Sequence, residues 1–185
     1  MHQKGSVDTV RILLICLALT ISVIPHPVVA QSNHLEPGDE ILGTWLSGAE
    51  GTELAKVLIY RDGVQDSGSN SVRDKGIYSG KITWLEYPQF RDDDEQGMAG
   101  MTKIDRENPD PKVRSRPVLG LVILKGFRFV PGRKWPWIGG TVYDPENGKT
   151  YRGRMRVEKD GRLRMRGYVG IPLFGRSTWW TRTPP

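Results

Sequence analysis

Cysteine is almost missing from this chain. The one thiol, Cys16, lies in an apolar run near the amino terminus of the 185 residues. Beyond it no disulfide can staple the fold, so a packed core must supply the stability. Histidine is nearly as scarce: the three present are His2, His26 and His34. From residue 35 onward no Ser-His-Asp or Cys-His unit can be built, and zinc sites of the usual kind fail for the same reason. A phosphate loop and a dinucleotide fingerprint are both absent. No long stretch of helical period is found either. These absences predict a chain that is not an enzyme and that holds no metal and no cofactor.

The single long apolar run is itself informative. Lys4 and Arg11 precede it, residues 12–24 carry no charge, Pro25 and Pro27 follow, and Val28, Val29 and Ala30 are small or compact. This is the three-part layout of a secretory signal, with cleavage expected before Gln31. The thirteen residues of the run fall short of the ~20 that a transmembrane helix needs. Ile15 is too large to precede a lipoprotein cysteine. The expectation is a signal peptide at 1–30, a periplasmic product and no transmembrane segment in the mature chain. Polar residues 31–40 are expected to form a loose leader, and 41–183 one domain.

What is abundant is glycine, with 22 residues, and turn signals between short apolar stretches. Candidate strands fall at 43–47, 54–61, 77–85, 119–129, 137–144, 150–158, 162–169 and 176–182. Several alternate with period two. Tyr78, Gly80, Ile82 and Trp84 share one face, against Ser79, Lys81 and Thr83. Tyr151, Gly153, Met155 and Val157 face inward, against Arg152, Arg154 and Arg156. Leu163, Met165 and Gly167 do the same against Arg162, Arg164 and Arg166. One apolar face per strand over eight sequential strands predicts an all-β fold: an antiparallel up-and-down barrel, whose closure removes exposed edges. Two connections are long. Residues 62–76 read as a polar hairpin tip. Residues 86–118, after the third strand, are too long for an ordinary turn and are expected to be functional or ordered in their own way.

Four motifs in order then resemble a known bacterial family: GTWL at 43–46, NPDP…RSRPVLGL at 108–121, GGTVYDPENGKTY at 139–151 and RGYVGIPLFGRSTWWTR at 166–182. They are similar to domain of unknown function 2147. The resemblance implies an exported bacterial protein with a lipocalin-like, or calycin-like, barrel, and it implies no activity. Family members often carry a cysteine pair around the second and third strands; this chain has none there. Gly43-Thr44-Trp45 also resembles the Gly-x-Trp of lipocalins. That likeness implies Trp45 packed under an arginine of the last strand, here Arg182, with both residues structural.

Carboxylates and arginines remain to be placed. Asp92, Asp93, Asp94 and Glu95 are contiguous and lack the spacing of a calcium loop, so a solvated charge run is expected. Asp110 and Asp144 sit in Pro-rich turns, which explains them more simply than a glycosidase pair does. The hairpin 149–168 carries eight cations against two carboxylates, a charge of +6 equal to that of the whole chain. An odd turn, Lys159-Asp160-Gly161, keeps the apolar faces together and sets Arg156 opposite Arg164 and Arg154 opposite Arg166.

Two functions follow. The first is a binding protein for a small, largely apolar ligand inside the barrel. The residues expected at its interior or mouth are Tyr78, Trp84, Arg116, Tyr143, Tyr151, Met155 and Phe174, although the same interior could be a solid core. The second is an interaction protein whose arginine face (Arg152, Arg154, Arg156, Arg162, Arg164, Arg166) meets anionic lipid or polysaccharide of the envelope. Nucleic acid is not an expected partner of an exported protein.

Overall fold

The computed structural model describes residues 36–48, 54–62 and 76–184. The expected signal peptide at 1–30, the first half of the expected leader and the expected tip at 63–75 lie outside the described residues. Eight strands follow one another: β1 Gly43–Ser47, β2 Ala55–Asp62, β3 Ile77–Leu85, β4 Val122–Phe129, β5 Trp137–Asp144, β6 Lys149–Val157, β7 Leu163–Tyr168 and β8 Gly175–Arg182. Each pairs antiparallel with the next. β1 also pairs with β8 through Trp45 opposite Arg182 and Leu46 opposite Thr181, which closes the barrel. The up-and-down barrel expected from the alternation is the observed fold.

One end of the barrel is solid. Ile41, Trp45, Ile59, Tyr78, Phe127, Trp137, Met155 and Leu163 are all essentially buried there. Glycines make room for the largest rings. A Cβ on Gly140 would stand 2.4 Å from the Phe127 ring, and one on Gly153 would stand 2.5 Å from it. Bare backbone at these two positions lets Phe127 lie across the sheet, so ring and glycine have been matched in volume. A short helical turn, Asp39–Ile41, lies on this end. Ile41 is buried, Asp39 pairs with Arg61 at 2.7 Å, and a Cβ on Gly38 would meet Phe129 at 2.6 Å. Residues 36–40, expected as part of a loose leader, are thus built into the barrel end. The lipocalin-like contact is present: the Arg182 guanidinium stands 4.2 Å from the Trp45 ring centre. Arg182 also donates to the carbonyls of Leu42 and Glu40, and the Trp45 indole donates to the Ile41 carbonyl.

β3 corrects two expectations. Lys56 pairs with Trp84, but the next residue, Val57, pairs with Ile82. Thr83 is therefore an extra residue, a bulge that reverses the alternation beyond it. Ile82 points inward as expected. Trp84, expected inside, is 40% exposed with Lys56 against its ring. Ser79, expected outside, is fully buried and donates to Asp62 at 2.5 Å.

Candidate functional site

Opposite its solid end the barrel is hollow. An open cavity of about 1250 Å³ lies over a floor of Ile82, Val142, Met165 and Trp180. This exceeds the roughly 300–1,000 Å³ of ordinary small-molecule pockets. Part of the wall is apolar and includes Leu85, Phe90, Val118 and Ile123. The rim carries charge of both signs: Arg91, Asp93, Asp94, Glu95, Lys103, Arg106, Glu107, Asp144, Glu146 and Arg176.

The wall on one side is the strap 86–118, and its order explains its length. Gln89 bridges to Thr102 and Ile104 to Pro117. Phe90 and Val118 are buried beneath it. At its centre is Asp105, fully buried. Its carboxylate accepts from Arg116 Nε at 2.9 Å, from Asn108 Nδ2 at 2.8 Å and from the Tyr143 hydroxyl at 2.5 Å. Arg116 Nη2 adds an ion pair at 2.7 Å. A buried carboxylate with this many donors is satisfied rather than reactive. Burial and the adjacent Asp105 carboxylate push the Tyr143 hydroxyl up to about 12. The strap also presses on the β5–β6 turn. A Cβ on Gly148 would overlap the Glu107 carbonyl at 1.8 Å, and Gly148 has φ of +68°, so no other residue fits there. Within the acidic run, Asp92, Asp93 and Glu95 are exposed, as expected, and Asp94 anchors a turn. Asp94 accepts from the Met98 and Gln96 amides and pairs with Arg106 at 2.7 Å. Those amides and Arg106 hold its carboxyl below the ordinary range.

The structure disperses the expected interior residues. Tyr143, Tyr151 and Phe174 line the cavity. Tyr78 and Met155 belong to the solid half, and Trp84 faces out through the Thr83 bulge. Arg116 serves the Asp105 network from the strap. The floor adds Val142, Met165 and Trp180, which the candidate site residues lack, although Met165 is expected to face inward. Period-two alternation marks them as inward but cannot tell a filled layer from an empty one.

The arginine hairpin has the expected register, with Arg154 opposite Arg166 and Arg156 opposite Arg164. Gly161 takes the left-handed position at φ of +81°. Five of the six arginines, however, are engaged, and Arg152 is exposed. Trp135, from the β4–β5 connection, lies under Arg154, Arg156 and Arg164 at 4.5, 5.0 and 5.4 Å from its ring centre. Glu158 pairs with Arg156 at 2.7 Å and Asp160 with Arg162 at 2.8 Å. Arg166 donates to the Pro172 and Leu173 carbonyls and to the Ser177 hydroxyl. Burial, then repulsion from Arg166, Arg164 and Arg156, lowers the affinity of Arg154 for its proton.

Comparison with known proteins agrees with this architecture. A family model described as "Uncharacterized protein conserved in bacteria", domain of unknown function 2147, matches residues 43–182. The chain belongs to this family. Among solved structures, protein HP1028 of Helicobacter pylori, described as belonging to the lipocalin family, is similar with a TM-score of 0.56. The two share 20% identity over 77% of this chain and 82% of that one. At that identity the likeness is one of fold: this family member is a lipocalin-like barrel. No curated protein matches.

Proposed function

We propose that this chain is an exported binding protein of the bacterial cell envelope that holds one small ligand in the open half of its barrel. The observation that carries the reading is the division of the barrel into a solid end and a hollow end of about 1250 Å³. A solid core would have filled the upper layers, as Phe127 and Trp137 fill the lower ones. An apolar floor under a charged rim suits a ligand with an apolar body and a polar or ionised end. Tyr143, Tyr151 and Phe174 are the sequence-expected residues placed to touch it, with Trp180 and Met165 beneath. Binding is favoured over catalysis because residues 36–184 contain no histidine and no cysteine, and because Asp105 is fully partnered.

Support for the arginine face as an anion surface is weaker, since most of its guanidiniums already have partners within the chain. Export rests on the segment 1–30. It predicts an envelope-fraction product whose amino terminus is Gln31, read by terminal sequencing.

The test is native mass spectrometry of protein purified from the envelope, followed by solvent extraction. An added mass that extracts as one compound is expected. Binding of the fluorescent apolar probe N-phenylnaphthylamine should also quench Trp180. Thr178→Trp, which places an indole in the cavity, should weaken the probe about tenfold, equivalent to about 1.4 kcal/mol. A clean apo mass together with probe binding indifferent to Thr178→Trp would reject the reading.

A further inference from the structure

The β7–β8 connection is the most apolar exposed segment among the described residues. Within six residues Val169 is 67% exposed, Ile171 55%, Leu173 75% and Phe174 70%. No polar side chain interrupts 169–175. Scattered exposed apolar residues are ordinary, but four large ones crowded on one loop are not. The loop is also braced. Arg166 holds the Pro172 and Leu173 carbonyls, and the Phe174 amide donates to the Ile171 carbonyl at 3.1 Å. Its side chains are therefore held outward by backbone hydrogen bonds, with Val169 and Phe174 bordering the cavity mouth.

Charge around the loop completes the picture. From residue 161 to the end the sequence holds five arginines and no carboxylate. Arg152 is exposed opposite Tyr168 at the root of the loop, and Arg176 stands at its other root, on the rim. The carboxylates of the mouth belong to the strap and to the β5–β6 turn. An apolar tip between cations is complementary to a bilayer: the tip enters the acyl boundary while the arginines remain among anionic headgroups.

We infer that the loop 169–174 docks the barrel, mouth first, on an anionic lipid bilayer. The inference does not depend on what fills the cavity. Its consequence is that a ligand would pass between membrane and cavity with little exposure to water.

Vesicle flotation tests it with the mature chain. Binding is expected to vesicles of phosphatidylcholine mixed with phosphatidylglycerol, and to be much weaker on phosphatidylcholine alone. The double variant Ile171→Ser, Leu173→Ser alters two exposed side chains that do not line the cavity. It should lower vesicle partitioning by at least about tenfold while N-phenylnaphthylamine binding stays unchanged. Arg152→Gln should lower partitioning only on the anionic vesicles. Equal binding to both vesicle types, binding undiminished in the double variant, or no binding at all would each overturn the inference. So would self-association, seen by ultracentrifugation, that the double variant abolishes without any vesicle binding; the loop would then be a contact between copies.

Discussion

Asp105 shows what a single buried charge does in this protein. It receives hydrogen bonds from Arg116, Asn108 and Tyr143, which join the strap to β5 at one point. Removing one partner leaves the others desolvated and unpaired. Asp105→Ala is expected to cost about 3 kcal/mol and Tyr143→Phe about 1–2 kcal/mol, measured by urea unfolding. Tyr143 adds a pH signature. Its hydroxyl is raised in the fold to about 12 from an ordinary 10. A proton held more tightly by the folded state contributes stability that is complete below pH 10 and fades as pH rises through about 12. Stability should therefore fall over that interval, and part of the fall should vanish in Tyr143→Phe. Equal alkaline slopes in the two proteins would contradict this. The hub was only partly legible in the sequence. Arg116 and Tyr143 stood out as candidate mouth residues, whereas Asp105 lay in an undistinguished stretch, because a charge reveals its burial only through distant partners.

Strands were the most legible elements, and glycine is the reason the barrel closes around large rings. Gly140 and Gly153 leave the space that Phe127 occupies. Gly153→Ala is expected to destabilise by about 1–3 kcal/mol through overpacking. Adding Phe127→Leu should recover part of that loss, so a double-mutant cycle should show coupling of at least about 0.5 kcal/mol. Additive losses would mean that the ring is not what the new methyl meets. The hairpin register of β6 and β7 could be read in advance because the turn length and the alternation gave the same answer. β3 could not, because one additional residue, Thr83, carries no mark in the sequence yet turns Trp84 outward. The role of Trp135 is unmarked in the sequence for a similar reason. It lies in a connection, and only the fold brings it beneath three arginines from two other strands. Trp135→Ala should lower stability by about 2–4 kcal/mol and free those guanidiniums, so retention on a heparin column should increase. Unchanged retention would indicate that the arginines re-pair within the chain.

For the whole molecule, the packed core and the cavity lie at opposite ends. The solid end holds the largest buried side chains, and the hollow end holds the cavity and the exposed loop. Ligand occupancy should therefore raise the melting temperature through binding alone, by RT ln(1 + [L]/Kd). Thr178→Trp should abolish most of that rise while leaving the unliganded melting point nearly unchanged. A large loss of unliganded stability in that variant would show that the upper layers are filled. Alternation along the strands made the barrel readable and left its filling open, because an inward residue looks the same above a void as above a neighbour.

Phe127 gives that division a sharp boundary. Its ring lies over Gly140 and Gly153, and Val142, which lines the cavity, stands beside the same spot. The bore beneath the cavity floor is thus plugged by this aromatic ring. A relative with a smaller residue at this position would have a deeper bore and accept a longer guest, with the rest of the vessel unchanged.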